Sequence, residues 1–103
     1  EHFLLFNDYK KVVSGLTLIK DVEFNKYQIR GMFTLPNFRE MGYGSKILKK
    51  IEFNHLNKSK SSLIWCNARV EAVDFYKKNN YTVVGKKFLI RNIGLHYRME
   101  KKL

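Results

Sequence analysis

Arg39-Glu40-Met41-Gly42-Tyr43-Gly44-Ser45 stands between an apolar run and a stretch of helical periodicity. Two glycines one residue apart let the backbone turn tightly and remove Cβ atoms that would block an approaching ligand. A helix starting there presents unpaired N–H groups and the positive end of its dipole. Together these make an anion cradle, suited to a phosphate or pyrophosphate. A lone Gly-x-Gly also serves as a plain helix-start turn, so the segment needs support from elsewhere. Two related phosphate loops are excluded. The dinucleotide fingerprint needs a third glycine where Ile47 stands. The Walker loop needs Gly-Lys-Ser/Thr, and here the order is Gly44-Ser45-Lys46. The spacing that remains is Arg/Gln-x-x-Gly-x-Gly/Ala.

Few other residues suggest chemistry by type alone. Cys66 is the only cysteine, which excludes an internal disulfide and a multi-cysteine zinc site, and no metal site is expected. It lies in an apolar run without an adjacent histidine, so it reads as core rather than nucleophile. A single unpaired thiol fits a reducing compartment, and the expected location is cytoplasmic.

The elements that must position the loop follow from periodicity. His2 to Phe6 is a short apolar run, ended by turn chemistry at Asn7-Asp8. Lys11 to Lys20 reads as a second strand and Tyr27 to Leu35 as a third, with Asp21 to Asn25 as the turn between them. Pro36 stops the third strand because it cannot donate to a ladder. From Ser45 to about Leu56, Ile47, Leu48, Ile51 and Leu56 recur at helical spacing. Asn57 to Ser62 is polar loop. Leu63 to Cys66 reads as a buried strand in a sheet covered on both faces. Arg69 to Asn79 reads as a second helix, stopped at Asn79-Asn80. Thr82 to Ile90 and Leu95 to Lys101 complete the set, with Arg91 to Gly94 as their turn.

The order β-β-β-α-β-α-β-β predicts an α/β domain with a mixed, largely antiparallel sheet and helices packed on it. Each helix between strands implies a crossover to a parallel neighbour. All 103 residues read as one domain, long enough to bury roughly 60–68% of the extended-chain surface. No run approaches the ~20 continuous apolar residues of a membrane span. The formal net charge of +11 suggests an anionic partner: nucleic acid, an acidic surface or a phosphorylated cofactor. A lysine-rich solvated surface explains it equally well, and charge alone cannot choose.

Beyond the loop, the sequence resembles the GNAT superfamily of acetyl-CoA-dependent N-acetyltransferases, in a bacterial-type branch. Arg30 to Arg39 is similar to the strand-to-loop segment before the family's pyrophosphate loop. Asn67-Ala68-Arg69, Ala72 and Phe75 to Tyr81 are similar to its second motif: a strand end, a helix with an aromatic-Tyr pair, and a turn into a strand. Asn92 to Met99 resembles the ending of the bacterial branch. The likeness covers about residues 27 to 100.

The resemblance implies a fold, a cofactor and roles. Two strands splay apart and the pantetheine arm of coenzyme A lies in the gap, where Met32, Phe33 and Thr34 offer backbone groups. One such N–H polarises the thioester carbonyl, an oxyanion role worth about 10²–10³ in rate. Arg39, Glu40, Met41, Gly42, Tyr43, Gly44 and Ser45 hold the pyrophosphate, chiefly by N–H groups. Tyr76 stands beside the thioester sulfur, and its phenol keeps its proton at neutral pH and can give it to the departing thiolate. By residue type alone Tyr76 reads first as a helix aromatic packed in the core, and the motif context reverses that reading. Glu23, Glu71 and His96 are candidates for the base that neutralises an amine acceptor. Direct transfer from acetyl-CoA to an amine is the expected activity. A basic nucleic-acid-binding module, or a CoA-binding protein without transfer, is the alternative, although the lysines are spread along the chain and no nucleic-acid motif is present.

Two departures from the family pattern carry expectations of their own. The family has a strand and two helices before the point matched by Glu1, so the domain is N-terminally short. Apolar sheet surface along Phe3 to Phe6 and Val12 to Ile19 is then left to self-association as a homodimer, to upstream residues, or to the final hairpin folding over it. Arg69 stands where many members carry a cofactor-touching asparagine, which makes Asn67, two residues earlier, the substitute.

Overall fold

Period-two alternation organises the first third of the chain into an antiparallel meander of β1 (His2–Phe6), β2 (Val12–Asp21) and β3 (Lys26–Thr34). The computed structural model describes residues 1–21, 23–53 and 63–103. The first turn is tied by Asn7, whose Oδ1 accepts the N–H groups of Tyr9 and Lys11 at 2.9 and 3.0 Å. Pro36 does more than stop β3. It opens a 3-10 turn, Pro36–Phe38, at the helical position where a missing N–H costs nothing. Helix α1 (Tyr43–Ile51) then begins two residues before Ser45 and buries Gly44, Ile47, Leu48 and Ile51. The predicted end of this helix at Leu56 and the predicted loop from Asn57 to Ser62 lie outside the described residues.

Strand β4 runs Leu63–Arg69, three residues further than the apolar run suggested. Arg69 is extended (φ −57°, ψ 148°), so the chain enters its next turn only at Val70. A 3-10 turn, Val70–Ala72, leads into a short helix α2 (Val73–Lys78). Asn79-Asn80 does stop it, with Asn80 at φ 72° and the Tyr81 N–H returning to the Tyr76 carbonyl at 2.9 Å. Strands β5 (Thr82–Ile90) and β6 (Gly94–Lys102) close the chain as a hairpin.

The six strands lie in the order β1-β2-β3-β4-β6-β5. Among the described residues only β3 and β4 pair in parallel; every other neighbouring pair is antiparallel. The parallel pairing expected across the second helix therefore does not occur. Strand β6 sits between β4 and β5, and the crossover through α2 spans one strand position. Both crossovers move the same way along the sheet, so their right-handedness puts α1 and α2 on one face. Beneath them Ile29, Ile64, Cys66, Ala68 and Met99 form the core with Leu48, Ile51 and Tyr76.

Among the described residues the other face is open. Leu63, Trp65, Asn67 and Arg69 alternate with the buried Ile64, Cys66 and Ala68, so β4 is covered on one face and not on both. Leu4 and Phe33 meet over Gly15 on this open side, with Leu4 54% and Phe33 40% exposed. The final hairpin stays in the plane of the sheet at its far edge, so it does not fold over this surface.

Candidate active site

The site begins with a flaw in β3. Gly15 faces Phe33 while Thr17 faces Arg30, so Leu16 stands opposite both Gly31 and Met32. Gly31 takes φ 58°, the left-handed backbone of a β-bulge, which bends and twists the strand that carries it. The parallel ladder with β4 ends at Ile29↔Cys66, just before the bulge. Beyond it β3 keeps to β2, while β4 continues to Arg69 against β6. Between the parted ends opens a cavity of about 1230 Å³.

The backbone on its β3 wall is sorted by strand alternation. Leu35 N–H donates to the Val13 carbonyl at 2.9 Å, so Leu35 and Phe33 are the residues that turn their backbone groups to β2. Phe33 also accepts from Ser14 Oγ at 2.7 Å. Thr34, and Met32 two residues back, turn theirs into the gap. The Thr34 carbonyl is there taken by Arg39 Nε at 3.2 Å, which ties the glycine loop to the strand end. The backbone groups of Phe33 are thus turned to β2 and not into the gap.

On the helix side, Gly42 is the N-cap of α1 at φ 81°. The first helical bond runs from Lys46 N–H to the Gly42 carbonyl at 3.0 Å. The N–H groups of Tyr43, Gly44 and Ser45 precede it and have no helical partner. A Cβ added to Gly42 would meet nothing within 4 Å, so the space beside this turn is free. Gly44 is different. A Cβ there would come within 3.0 Å of the Phe75 ring and 3.4 Å of Met32 Cε. Gly44 thus lets α2 pack closely against α1.

Tyr76 lies between the two walls. It is 7% exposed, lines the cavity and packs edge-on against Phe75 and Tyr81, with ring centroids 5.1 and 5.5 Å away. Its hydroxyl donates to Met32 Sδ at 3.5 Å. Burial, with Cys66 alongside, holds the phenol well above its ordinary value. Burial likewise pushes the Cys66 thiol up to about 12, which fits a core residue and not a nucleophile.

Most of the predicted site converges here. Met32, Phe33, Thr34, Arg39, Glu40, Gly42, Tyr43, Gly44, Ser45, Arg69 and Tyr76 all line the cavity, while Met41 and Asn67 do not. Met41 projects outward, 62% exposed. Asn67 is exposed on the open face of β4, and Arg69 reaches the cavity in its place. Phe38, Ala72, Asp74, Phe75, Lys77 and Lys78 line it too. The i, i+3, i+4 and i+7 spacing of Glu71, Asp74, Phe75 and Lys78 along the predicted helix was the available signal for several of these.

The three candidate bases separate. Glu71 lines the cavity. Glu23 lies in the β2–β3 turn, at the end of β3 away from it. His96 is 4% exposed, with Nδ1 2.8 Å from the Gly94 carbonyl and its ring beside Phe88, and it does not line the cavity. Arg39, Arg69, Lys77 and Lys78 outnumber Glu40, Glu71 and Asp74 among the lining residues, which favours an anionic occupant.

The acetyltransferase (GNAT) domain family matches residues 1–83. The chain is 37% identical to the uncharacterized N-acetyltransferase YitI of Bacillus subtilis, over 79% of its own length and 54% of that protein's. It is 32% identical to the uncharacterized N-acetyltransferase YjcF of the same organism, over 98% of its own length and 69% of that protein's. The chain therefore spans little more than half of one relative. Among solved structures, an acetyltransferase from Bacillus cereus superposes with a TM-score of 0.79 at 25% identity, covering 100% of this chain and 72% of that one. An aminoglycoside 6'-N-acetyltransferase complexed with coenzyme A superposes with a TM-score of 0.81 at 12% identity, covering 98% and 71%. With its parted strands, its glycine-capped helix and these matches, the chain belongs to the GNAT acetyltransferase family.

Proposed function

We propose that this domain moves an acetyl group from acetyl-CoA directly to an amine. The observation that carries the proposal is the cavity between β3 and β4, with the first N–H groups of α1 at one end and the Tyr76 hydroxyl inside it. The free space beside Gly42 and the N–H groups of Tyr43, Gly44 and Ser45, which have no helical partner, fit a pyrophosphate. The inward-facing backbone of Met32 and Thr34 fits an extended amide-bearing arm, which would add as a strand along the freed edge. When bound, acetyl-CoA supplies the activated acetyl group and a thiolate leaving group.

The chain's own residues do the remainder. The N–H groups facing the gap are placed to hydrogen-bond developing oxyanion charge. Tyr76 stays protonated across the neutral range and can donate its proton as thiolate charge develops. Of the three candidate bases Glu71 is the one that lines the cavity, and its carboxylate can draw a proton from an ammonium acceptor. Cys66, buried and protonated, takes no part as a covalent carrier.

The acceptor is an amine of a small molecule, an antibiotic, a peptide N-terminus or a lysine. The site of action is the cytoplasm, and the working form is a homodimer. Among the described residues no helix is long and apolar enough to cross a membrane. A panel of amine acceptors with acetyl-CoA, followed by free-thiol release, tests the activity. Thermal melts with CoA and with oligonucleotide accompany it. We expect stabilisation by CoA alone, by roughly 2.7 kcal/mol at a hundred times its dissociation constant. Stabilisation by oligonucleotide alone would overturn the proposal.

A further inference from the structure

Asn79 ends α2 away from the anion-binding turn in sequence, yet its side chain reaches that turn. Its Nδ2 lies 2.9 Å from the Phe75 carbonyl and 3.0 Å from Ser45 Oγ. A carbonyl can only accept, so the atom facing Phe75 must be the amide nitrogen. The same nitrogen therefore donates to Ser45, and Ser45 Oγ is the acceptor. Among the described residues Ser45 Oγ has no other hydrogen-bond partner. Its own proton is left to point elsewhere.

We infer that Asn79 is a positioning residue: it fixes Ser45 Oγ as an acceptor and so turns the Ser45 proton toward a pyrophosphate at the start of α1. This deepens the coenzyme A reading above and rests on it. Ser45 lines the cavity in the first turn of α1, beside the unpaired N–H groups of Tyr43 and Gly44. The oriented hydroxyl adds a side-chain donor to that set. Free to rotate, the same hydroxyl would spend part of its time with its oxygen lone pairs facing the anion.

Asn79 is itself held from behind. It is 6% exposed, and its N–H donates to the Tyr76 carbonyl at 3.0 Å. Its carbonyl accepts from Lys101 Nζ at 3.2 Å, and Lys101 is anchored to Glu52 Oε1 at 2.8 Å. Glu52 also accepts from the Tyr81 hydroxyl at 2.9 Å. The amide that sets Ser45 is thereby locked to the end of α1, the start of β5 and the end of β6.

The test is a double-mutant cycle read as the dissociation constant of CoA by titration calorimetry, with thermal melts to check folding. Ser45→Ala is expected to weaken CoA roughly tenfold, the loss of one hydrogen bond to a charged group. Asn79→Leu is expected to weaken CoA severalfold in the wild-type background and less than twofold in the Ser45→Ala background. Asn79→Asp, nearly isosteric, presents only acceptors and draws the Ser45 proton inward, so CoA should weaken at least as much. Equal losses from Asn79→Leu in both backgrounds would overturn the inference, since Asn79 would then act on the fold and not through Ser45. So would an unchanged constant for Ser45→Ala, whatever the Asn79 variants do. A wild-type protein that does not bind CoA overturns the cofactor reading first, and this inference with it.

Discussion

The Tyr76 hydroxyl and the Met32 thioether face each other across the cavity at 3.5 Å, joining α2 to the bulged end of β3. A thioether is a weak acceptor. The phenol is therefore not committed to a strong partner and can turn to a developing thiolate at small cost. Burial by Phe75, Tyr81 and Cys66 keeps the proton on Tyr76 until it is needed. Tyr76→Phe keeps the ring and its two edge-on contacts, so the melting temperature should hardly move. Turnover should fall by about 10²–10⁴ while the CoA dissociation constant stays within twofold. Wild-type turnover in this variant, with chemistry rate-limiting, would leave Tyr76 as a packing residue.

Gly44 joins the anion-binding turn to the same helix. With Phe75 3.0 Å from where a Cβ would stand, even Gly44→Ala must displace the ring, and Gly44→Val must displace it further. We expect a stability loss of about 1–3 kcal/mol for overpacking, larger for valine. The stabilisation by CoA should shrink in parallel, because the displaced ring lies beside Tyr76. Phe75→Leu in the Gly44→Ala background should restore part of both. Full stability in Gly44→Val together with lost CoA binding would instead place the Cβ against the ligand.

Much of this arrangement was legible from local pattern, and the exceptions have a physical cause. Strand and helix order followed from apolar spacing, because burial of Ile29, Ile64 and Ile51 is written into their own segments. The insertion of β6 between β4 and β5 is a pairing of distant segments, and no local period encodes which of two final strands docks first. The parting of β3 from β4 did have a signal in Gly31, a glycine inside a strand, which marks a bulge. Asn67 and Arg69 share a face of β4, so spacing could not say which reaches the cavity. That depended on where the chain leaves the strand. Asn79 carried only the look of a helix stop, and its hold on Ser45 appears only once α1 and α2 lie side by side.

The buried acids also set the alkaline limit of the fold. Cys66, 2% exposed, is pushed from 9.0 to about 12, and Tyr76 and Tyr81 are pushed above their ordinary value of 10.0 by burial, with Glu52 beside Tyr81. Raised values in the folded state mean that the unfolded chain loses these protons first. Stability is therefore insensitive to these groups below about pH 9 and falls as pH rises beyond it, by up to about 1.4 kcal/mol per pH unit for each group. Denaturant melts from pH 7 to pH 11 should show this decline. Cys66→Ala should remove the part that begins near pH 9, and an identical slope in that variant would mean that Cys66 does not contribute.

The open face of the sheet leads to a prediction about assembly. Leu4, Phe6, Ile19 and Phe33 are between 40% and 54% exposed, and the register of β1, β2 and β3 sets them all on the side away from α1 and α2. Burying such surface is worth roughly 25 cal/mol per Å², and a two-fold arrangement would cover two copies of it at once. The final hairpin cannot do so, because β5 and β6 continue the sheet beyond β4. For residues 1–103 alone, light scattering over a tenfold dilution should therefore show a dimer that dissociates as concentration falls. Leu4→Lys with Phe6→Lys should shift it to monomer without lowering CoA affinity, since neither residue lines the cavity. A wild-type chain that stays monomeric at every concentration and binds no hydrophobic dye would sink the idea, because water would then be in contact with this face at no evident cost.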